Sequence, residues 1–254
     1  MPMSSQPHWE SLGPPPVRLF ALEQARALGE LASFRARRSL RRRVPPGDGH
    51  PVLVLPGFLA GDYSTLPLRR FLRQLCYDAR GWKEGTNLGP NPQLIERIAA
   101  RLEQLCERHG RRLSLVGWSL GGIYARELAR RDPARVRAVI TLGTPFRDIS
   151  ASHAARLVAM RRGAPSAGAR DAIGRRLRQP VPVPCTSIYS KTDGIVHWRS
   201  CLQDEGPERE NIRVRCSHTG MGFHPEVLSI VADRLSLPEG KWRPYAPKEV
   251  ESAS

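Results

Sequence analysis

The sequence predicts an α/β fold: a mostly parallel sheet with helices on both faces and a small cap-like insertion. Three observations carry that prediction. Short, wholly apolar runs such as PVLVLP (51–56) read as strands buried on both faces. Segments whose apolar residues recur at helical spacing lie between those runs, so strand and helix alternate along the chain. At 254 residues the chain can bury the core such a fold needs.

Each element follows in order. Residues 1–16 are Ser- and Pro-rich, end in Pro14-Pro15-Pro16 and read as a flexible leader. Over 17–34, Val17, Phe20, Ala21, Leu28, Leu31 and Ala32 recur at helical spacing, which predicts an amphipathic helix with its apolar face on the core. Six arginines follow over 35–43, then a turn at Pro45-Pro46-Gly47-Asp48-Gly49, so residues 1–49 form an N-terminal extension. Strands are predicted at 51–56, 76–80, 113–117, 138–143, 185–190 and 211–216. Helices are predicted at 66–75, 93–108, 120–131 and 225–235, the last with Pro225 in its first turn. Strands joined through helices imply right-handed crossovers, and residues 50–236 read as one domain. Residues 147–180, rich in Ala, Arg and Gly, interrupt the alternation as a cap over a site would. Residues 237–254 form a polar tail.

Composition narrows the class. Lys and Arg total 40 against 24 Asp and Glu, a net charge of +16, but 36 of the 40 are Arg. With no homeodomain, RNP, KH or zinc-finger pattern beside it, this charge reads as a genome-wide preference for Arg, not as a nucleic-acid surface. No apolar run approaches the ~20 residues of a membrane-spanning helix. The N-terminus lacks the charged-then-apolar layout of a secretory signal, so a cytoplasmic location is expected. Five cysteines without a C-x-x-C pair argue for free thiols over a disulfide framework or a zinc ribbon. The arginines of 35–43 read as a solvated helix end, with peripheral docking on an anionic membrane surface as the alternative. A second basic group, Arg161, Arg162, Arg170, Arg175, Arg176 and Arg178, reads as a solvated helix face that could also guide anionic or lipid substrates.

The chemistry concentrates in LSLVGWSLGGIYARELAR. Here Gly117-Trp118-Ser119-Leu120-Gly121 is a G-x-S-x-G between a buried strand and a helix. A sharp strand-to-helix turn strains the serine backbone and lifts its Oγ clear of the sheet, and a Cβ on the flanking glycines would clash with neighbouring elements. Ser119 is therefore the candidate nucleophile. Its acid and histidine should follow in that order. Asp193 sits in the loop after the strand at 185–190, with Asp204 and Glu205 as fallbacks. His218 lies just past the last predicted strand and is the candidate base; His224, directly before the final helix, is the alternative. The oxyanion donors are expected to be the N–H of Leu120 and, from the loop after the first strand, that of Phe58. Trp118, Trp198 and His197 are candidates for lining the substrate pocket. His8, His109 and His153 read as solvated, and His50 as shaping entry to the first strand.

Together these residues resemble the α/β-hydrolase superfamily and, within it, compact serine esterases and lipases. The resemblance covers about 50–236: VLVLPGF is similar to the oxyanion-loop strand, GWSLGG to the nucleophile elbow and IYSKTDGIV to the acid loop. SHTGMGF resembles the H-x-G-L/M histidine loop of small bacterial lipases, which favours His218. The chain departs from many members in carrying Pro56-Gly57 where they have His-Gly. The resemblance implies a Ser119–His218–Asp193 triad, no metal or organic cofactor, and hydrolysis of small-molecule or lipid carboxylic esters through an acyl-enzyme. GWSLGG also resembles the elbow of the carboxylesterase that demethylates pimeloyl-acyl-carrier-protein ester, so an acidic carrier protein is a second candidate partner. Acyl transfer by the same triad and a non-catalytic binding role on this scaffold are the alternatives.

Overall fold

Along β1 (Pro51–Leu55), Val52 and Val54 face one side of the sheet, Leu53 and Leu55 face the other, and all four are fully buried. That double burial is why the run is apolar without alternation. The structure is a computed structural model that describes residues 12–36, 40–155 and 166–247. Beside β1 stand β2 (Asp78–Gly81), β3 (Leu113–Trp118), β4 (Val136–Leu142), β5 (Cys185–Ser190) and β6 (Arg209–Val214). They form one parallel sheet in the order β2-β1-β3-β4-β5-β6.

Helix α3 (Leu66–Gln74) and the last helix, α7 (Pro225–Ser236), cover the face that carries Val52, Val54, Val116 and Ile140. Helices α4 (Pro92–His109) and α5 (Leu120–Arg131) cover the other face, against Leu53, Leu55, Leu115 and Val139. The ends of α4 follow from local chemistry. Asn91 caps its first turn by accepting from the Leu94 N–H at 2.7 Å, Pro92 fills N1, and Gly110 ends it at φ +59°. Among the described residues no helix is long and apolar enough to cross a membrane. All five cysteines are free thiols, four of them buried.

Three strands start two residues away from expectation, each for a local reason. β2 starts at Asp78 because Cys76, at φ +72°, belongs to the turn that closes α3. β4 begins at Val136, pairing there with Leu113 ahead of a register shift. β6 runs from Arg209 to Val214, because Cys216 leaves the ladder and gives its N–H to Ser190 Oγ.

The N-terminal extension departs further. The helix predicted over 17–34 breaks at Leu22 into α1 (Val17–Ala21) and α2 (Glu23–Ala36). Its expected core face is turned outward: Val17, Phe20 and Leu28 are exposed, as is Leu22, whereas Glu23 is only 1% exposed. The inner stripe of α2 is Glu23, Arg26, Ala27, Glu30 and Phe34, and the polar members are held by hydrogen bonds to loops beneath them. Beyond it Arg41, Arg42 and Arg43 are exposed, while Arg37 and Arg38 lie outside the described residues.

The segment read as an insertion includes residues 156–165, among them Arg161 and Arg162, which lie outside the described residues. Its described helix, α6 (Ala167–Arg178), buries Leu177 against Ile123 and Phe146. Arg130 on α5 donates to the Leu177 carbonyl at 3.1 Å, and Arg176 pairs with Glu127 at 2.9 Å.

Candidate active site

The chain leaves β1 for β2 on one side and returns to β3 on the other. The loops after β1 and β3 therefore diverge, opening a crevice at the carboxyl ends of the strands. Ser119 stands at that crevice, between β3 and α5, at φ +53° and ψ −121°. A non-glycine residue there stores about 1–3 kcal/mol of strain, which the surroundings must over-determine. Three glycines permit the turn. A Cβ on Gly117 would strike the Gly122 Cα, one on Gly121 the Leu55 carbonyl, and one on Gly122 the Thr144 hydroxyl. The Ser119 N–H is anchored on the Leu142 carbonyl at the end of β4 at 2.7 Å.

His218 and Asp193 meet at the same edge. His218 Nδ1 lies 2.6 Å from Asp193 Oδ2, with both residues buried. The other carboxylate oxygen, Oδ1, accepts the N–H groups of Ile195 and Val196 at 2.8 and 2.7 Å, which fixes its orientation. Gly143, at φ +55° directly after β4, lies under the pair: a Cβ there would fall 2.9 Å from His218 Nδ1 and 3.1 Å from Asp193 Oδ2. Burial alone would depress the His218 imidazolium. The charge and hydrogen bond of Asp193, then the charge of Glu23, outweigh burial and raise it.

The loop after β1 closes the other side. A Cβ on Gly57 would sit 3.2 Å from Ser119 Cβ and 3.8 Å from its Oγ, so this loop lies against the serine. Among the described hydrogen bonds, neither the Phe58 N–H nor the Leu120 N–H is spent. Asn87 holds the loop. Its Nδ2 donates to the Pro56 carbonyl at 2.9 Å, its backbone exchanges bonds with Leu59 and Ala60, and its Oδ1 accepts from Tyr124 OH at 3.0 Å.

The His218–Asp193 pair lies over Gly143, one residue past the Leu142 carbonyl that holds the Ser119 N–H. Among the described hydrogen bonds none joins Ser119 Oγ to His218. Trp118 is buried in the core between sheet and α7, donating its indole N–H to the His218 carbonyl at 3.2 Å. Trp198 and His197 are not brought to Ser119 by any described contact. Trp198 stacks on Tyr189 with Lys191 over its ring, and His197 caps the short turn Trp198–Cys201. His224 occupies the N-cap position of α7. Two histidines read as solvated are held instead, His109 by Asp78 at 2.7 Å and His153 by the Pro15 carbonyl and the Phe20 ring. His8 lies outside the described residues. No sequence motif marks Asn87, Gly143 or the polar stripe of α2. Glu23, Arg26 and Glu30, at helical spacing, are the one sequence feature that points to that stripe.

A second Ser-His-Asp chain lies at the opposite, amino end of the sheet. His50 Nδ1 contacts Asp48 at 2.5 Å and Nε2 contacts Ser114 Oγ at 2.9 Å, beside a cavity of about 250 Å³ that Ser114, Arg112 and Arg137 help to line. Its chemistry differs. Ser114 is an extended residue of β3, 1% exposed, and the N–H groups around it belong to the ladders with β1 and β4. Asp48 is shared with Arg137 and Arg111. Burial therefore prevails over Asp48 at His50, with Arg137 adding to it, and depresses the imidazolium where that of His218 is raised.

A family model described as the alpha/beta hydrolase family matches residues 52–247. The chain belongs to that family. Solved structures with the same fold include lipase B of Aspergillus fumigatus, 18% identical, covering 81% of this chain and 58% of that one with a TM-score of 0.57. They also include the mature form of the Bacillus licheniformis lipase BlEst2, 19% identical, covering 76% and 94% with a TM-score of 0.55. A third is the Paleococcus ferrophilus monoacylglycerol lipase, 13% identical, covering 74% and 96% with a TM-score of 0.52. The chain spans little more than half of the Aspergillus structure. No curated protein matches the sequence.

Proposed function

We propose that this alpha/beta hydrolase cleaves carboxylic esters through Ser119, His218 and Asp193. The observation that carries the reading is the buried His218–Asp193 pair at 2.6 Å, at the strand ends that anchor a serine held at φ +53°. His218 Nε2 accepts the Ser119 proton as Oγ bonds to the acyl carbon, and Asp193 stabilises the imidazolium that forms. The N–H groups of Phe58 and Leu120 receive the oxyanion, an interaction worth about 3 kcal/mol per donor where it has been removed. Collapse breaks the ester C–O bond, and His218 returns the proton to the departing alcohol. Water then attacks the acyl-enzyme: His218 takes its proton and passes it to Ser119 Oγ as the Ser119–acyl bond breaks, releasing the acid. The lipase names of several structures sharing the fold support ester over amide substrates.

The test is turnover of short and medium p-nitrophenyl esters with labelling by a fluorophosphonate probe. Ser119→Ala is expected to lose both while remaining folded, and Ser114→Ala to keep both. Full activity in the Ser119 variant would sink the assignment.

A further inference from the structure

Both loops that carry the partners of Ser119 are gripped by one helix. Glu23 Oε2 accepts the N–H of Gly194, the residue after Asp193, at 3.0 Å. Its Oε1 accepts the N–H of Thr219, the residue after His218, at 2.7 Å. Arg26 donates to the carbonyl of Thr192, the residue before Asp193, at 2.5 Å, and pairs with Glu23 at 2.8 Å. Glu30 accepts both the N–H and the hydroxyl of Ser217, the residue before His218, at 2.7 and 2.5 Å. Asp193 and His218 are thus each flanked on both sides by bonds to α2.

We propose that α2 is a brace for the acid and histidine loops, with Glu23 and Glu30 as positioning residues that set His218 against Asp193. The proposal rests on the reading of Ser119, His218 and Asp193 as the reacting set. Two further observations favour bracing over simple attachment of the helix. Ala27 and Phe34 of α2 do pack inward, yet its Leu28 is 69% exposed while the Glu23 carboxylate is 1% exposed. Burying a carboxylate is costly unless charge-assisted bonds replace its water, and here those bonds go to the two catalytic loops and to Arg26. The loops are also shaped to admit the helix. A Cβ on Gly194 would meet the Leu19 carbonyl and Glu23 Oε2, and one on Gly220 would meet Glu30 Oε2.

Charge gives the brace a separate signature. The groups facing His218 are Asp193 from the loop after β5 and Glu23 from α2, with Arg26 and Glu30 beside it; α7 adds Glu226, whose charge is felt at Cys216. Loss of the Glu23 charge moves the acid limb of kcat/KM to lower pH, which a general loss of folded protein does not do.

The experiment measures kcat, KM, the pH profile, thermal unfolding and fluorophosphonate labelling on the full chain. Its variants are Glu23→Gln, Glu23→Ala, Glu30→Ala, Glu30→Gln and Leu28→Ala. Glu23→Ala and Glu30→Ala are expected to lower kcat about 10- to 100-fold, as small misplacements of reacting groups do, with KM within about twofold. Glu23→Gln, nearly isosteric, is expected to lose rate and shift the acid limb downward even where the alanine variant unfolds. Glu30→Gln recovers most of the loss, because its amide can accept from the Ser217 N–H and donate to its hydroxyl. Leu28→Ala, on the exposed side, matches wild type. If wild type labels at Ser119 while Glu23→Gln keeps both its kcat and its acid limb, the brace is overturned. A wild type that neither labels nor turns over esters overturns the underlying reading instead.

Discussion

At the scale of a single residue, the proposed mechanism makes His218 the group that sets the pH dependence. Burial works against its imidazolium, but Asp193 and Glu23 prevail and hold it above the ordinary histidine value of about 6.5. The base must be neutral to accept the Ser119 proton, so kcat/KM is expected to climb through an apparent value above about 6.5 and level off on the alkaline side. Asp193→Asn removes the largest raising influence; its acid limb should fall below that of wild type and its kcat by on the order of 10⁴-fold. A wild-type limb at or below 6.5 in a pH–rate profile would contradict the pairing. The sequence itself nominates these candidates. Ser119 is a candidate because a nucleophile on a strand-to-helix turn needs glycine neighbours, and Asp193 and His218 are candidates because their loops follow strands. Asn87 is not among them: T-N-L-G-P reads as a generic turn, and its role depends on reaching the Pro56 carbonyl, 31 residues away in sequence.

At the scale of elements, the loop after β1 depends on that asparagine. Asn87→Ala leaves the buried Pro56 carbonyl without its donor, a cost of about 1–3 kcal/mol. For a chain of this length each kcal/mol lowers Tm by about 2–4 °C. The freed loop no longer holds the Phe58 N–H in place, so kcat is expected to fall by about 10²-fold, more than the loss of stability explains. Calorimetry and steady-state kinetics on the same preparation separate the two, and wild-type kcat in this variant would place the oxyanion donor elsewhere. Helix α2 teaches the complementary lesson. Its apolar periodicity located a helix but pointed to the wrong face, because a carboxylate that finds two backbone donors and an arginine can be buried where Leu28 is not.

Across the whole molecule, Asp48 ties the segment before β1 to the start of the sheet. It accepts from His50, from Arg111 at 2.7 Å and from Arg137 at 2.8 Å. Burial would raise its carboxyl, but the hydrogen bonds from Arg137 and His50 outweigh burial and hold it well below the usual carboxylate range. Its stabilisation is therefore present above about pH 3.9, the unfolded value, and is lost as pH falls toward the folded one. The side chain is 43% exposed, so solvent screens part of the effect. Asp48→Asn is expected to lower Tm at neutral pH, leaving Arg137 short of a partner, and to flatten the fall in Tm as pH drops below about 4. A thermal-melt series that keeps the wild-type acid slope would rule this out.

What the amino-acid order by itself determined was the local grammar: strands buried on both faces, helices between them, and a serine on a glycine-flanked turn. Those features depend on neighbours within a few residues, where sterics and apolar burial act directly. Only the tertiary structure decided which polar groups meet. It set carboxylates around His218 that raise its imidazolium, and buried His50 near Arg137, which depresses its own. It also turned the polar stripe of α2 inward onto the loops of Asp193 and His218. Hydrogen-bond partners more than a hundred residues apart are set by the packing of whole elements, and spacing along the chain carries no trace of them.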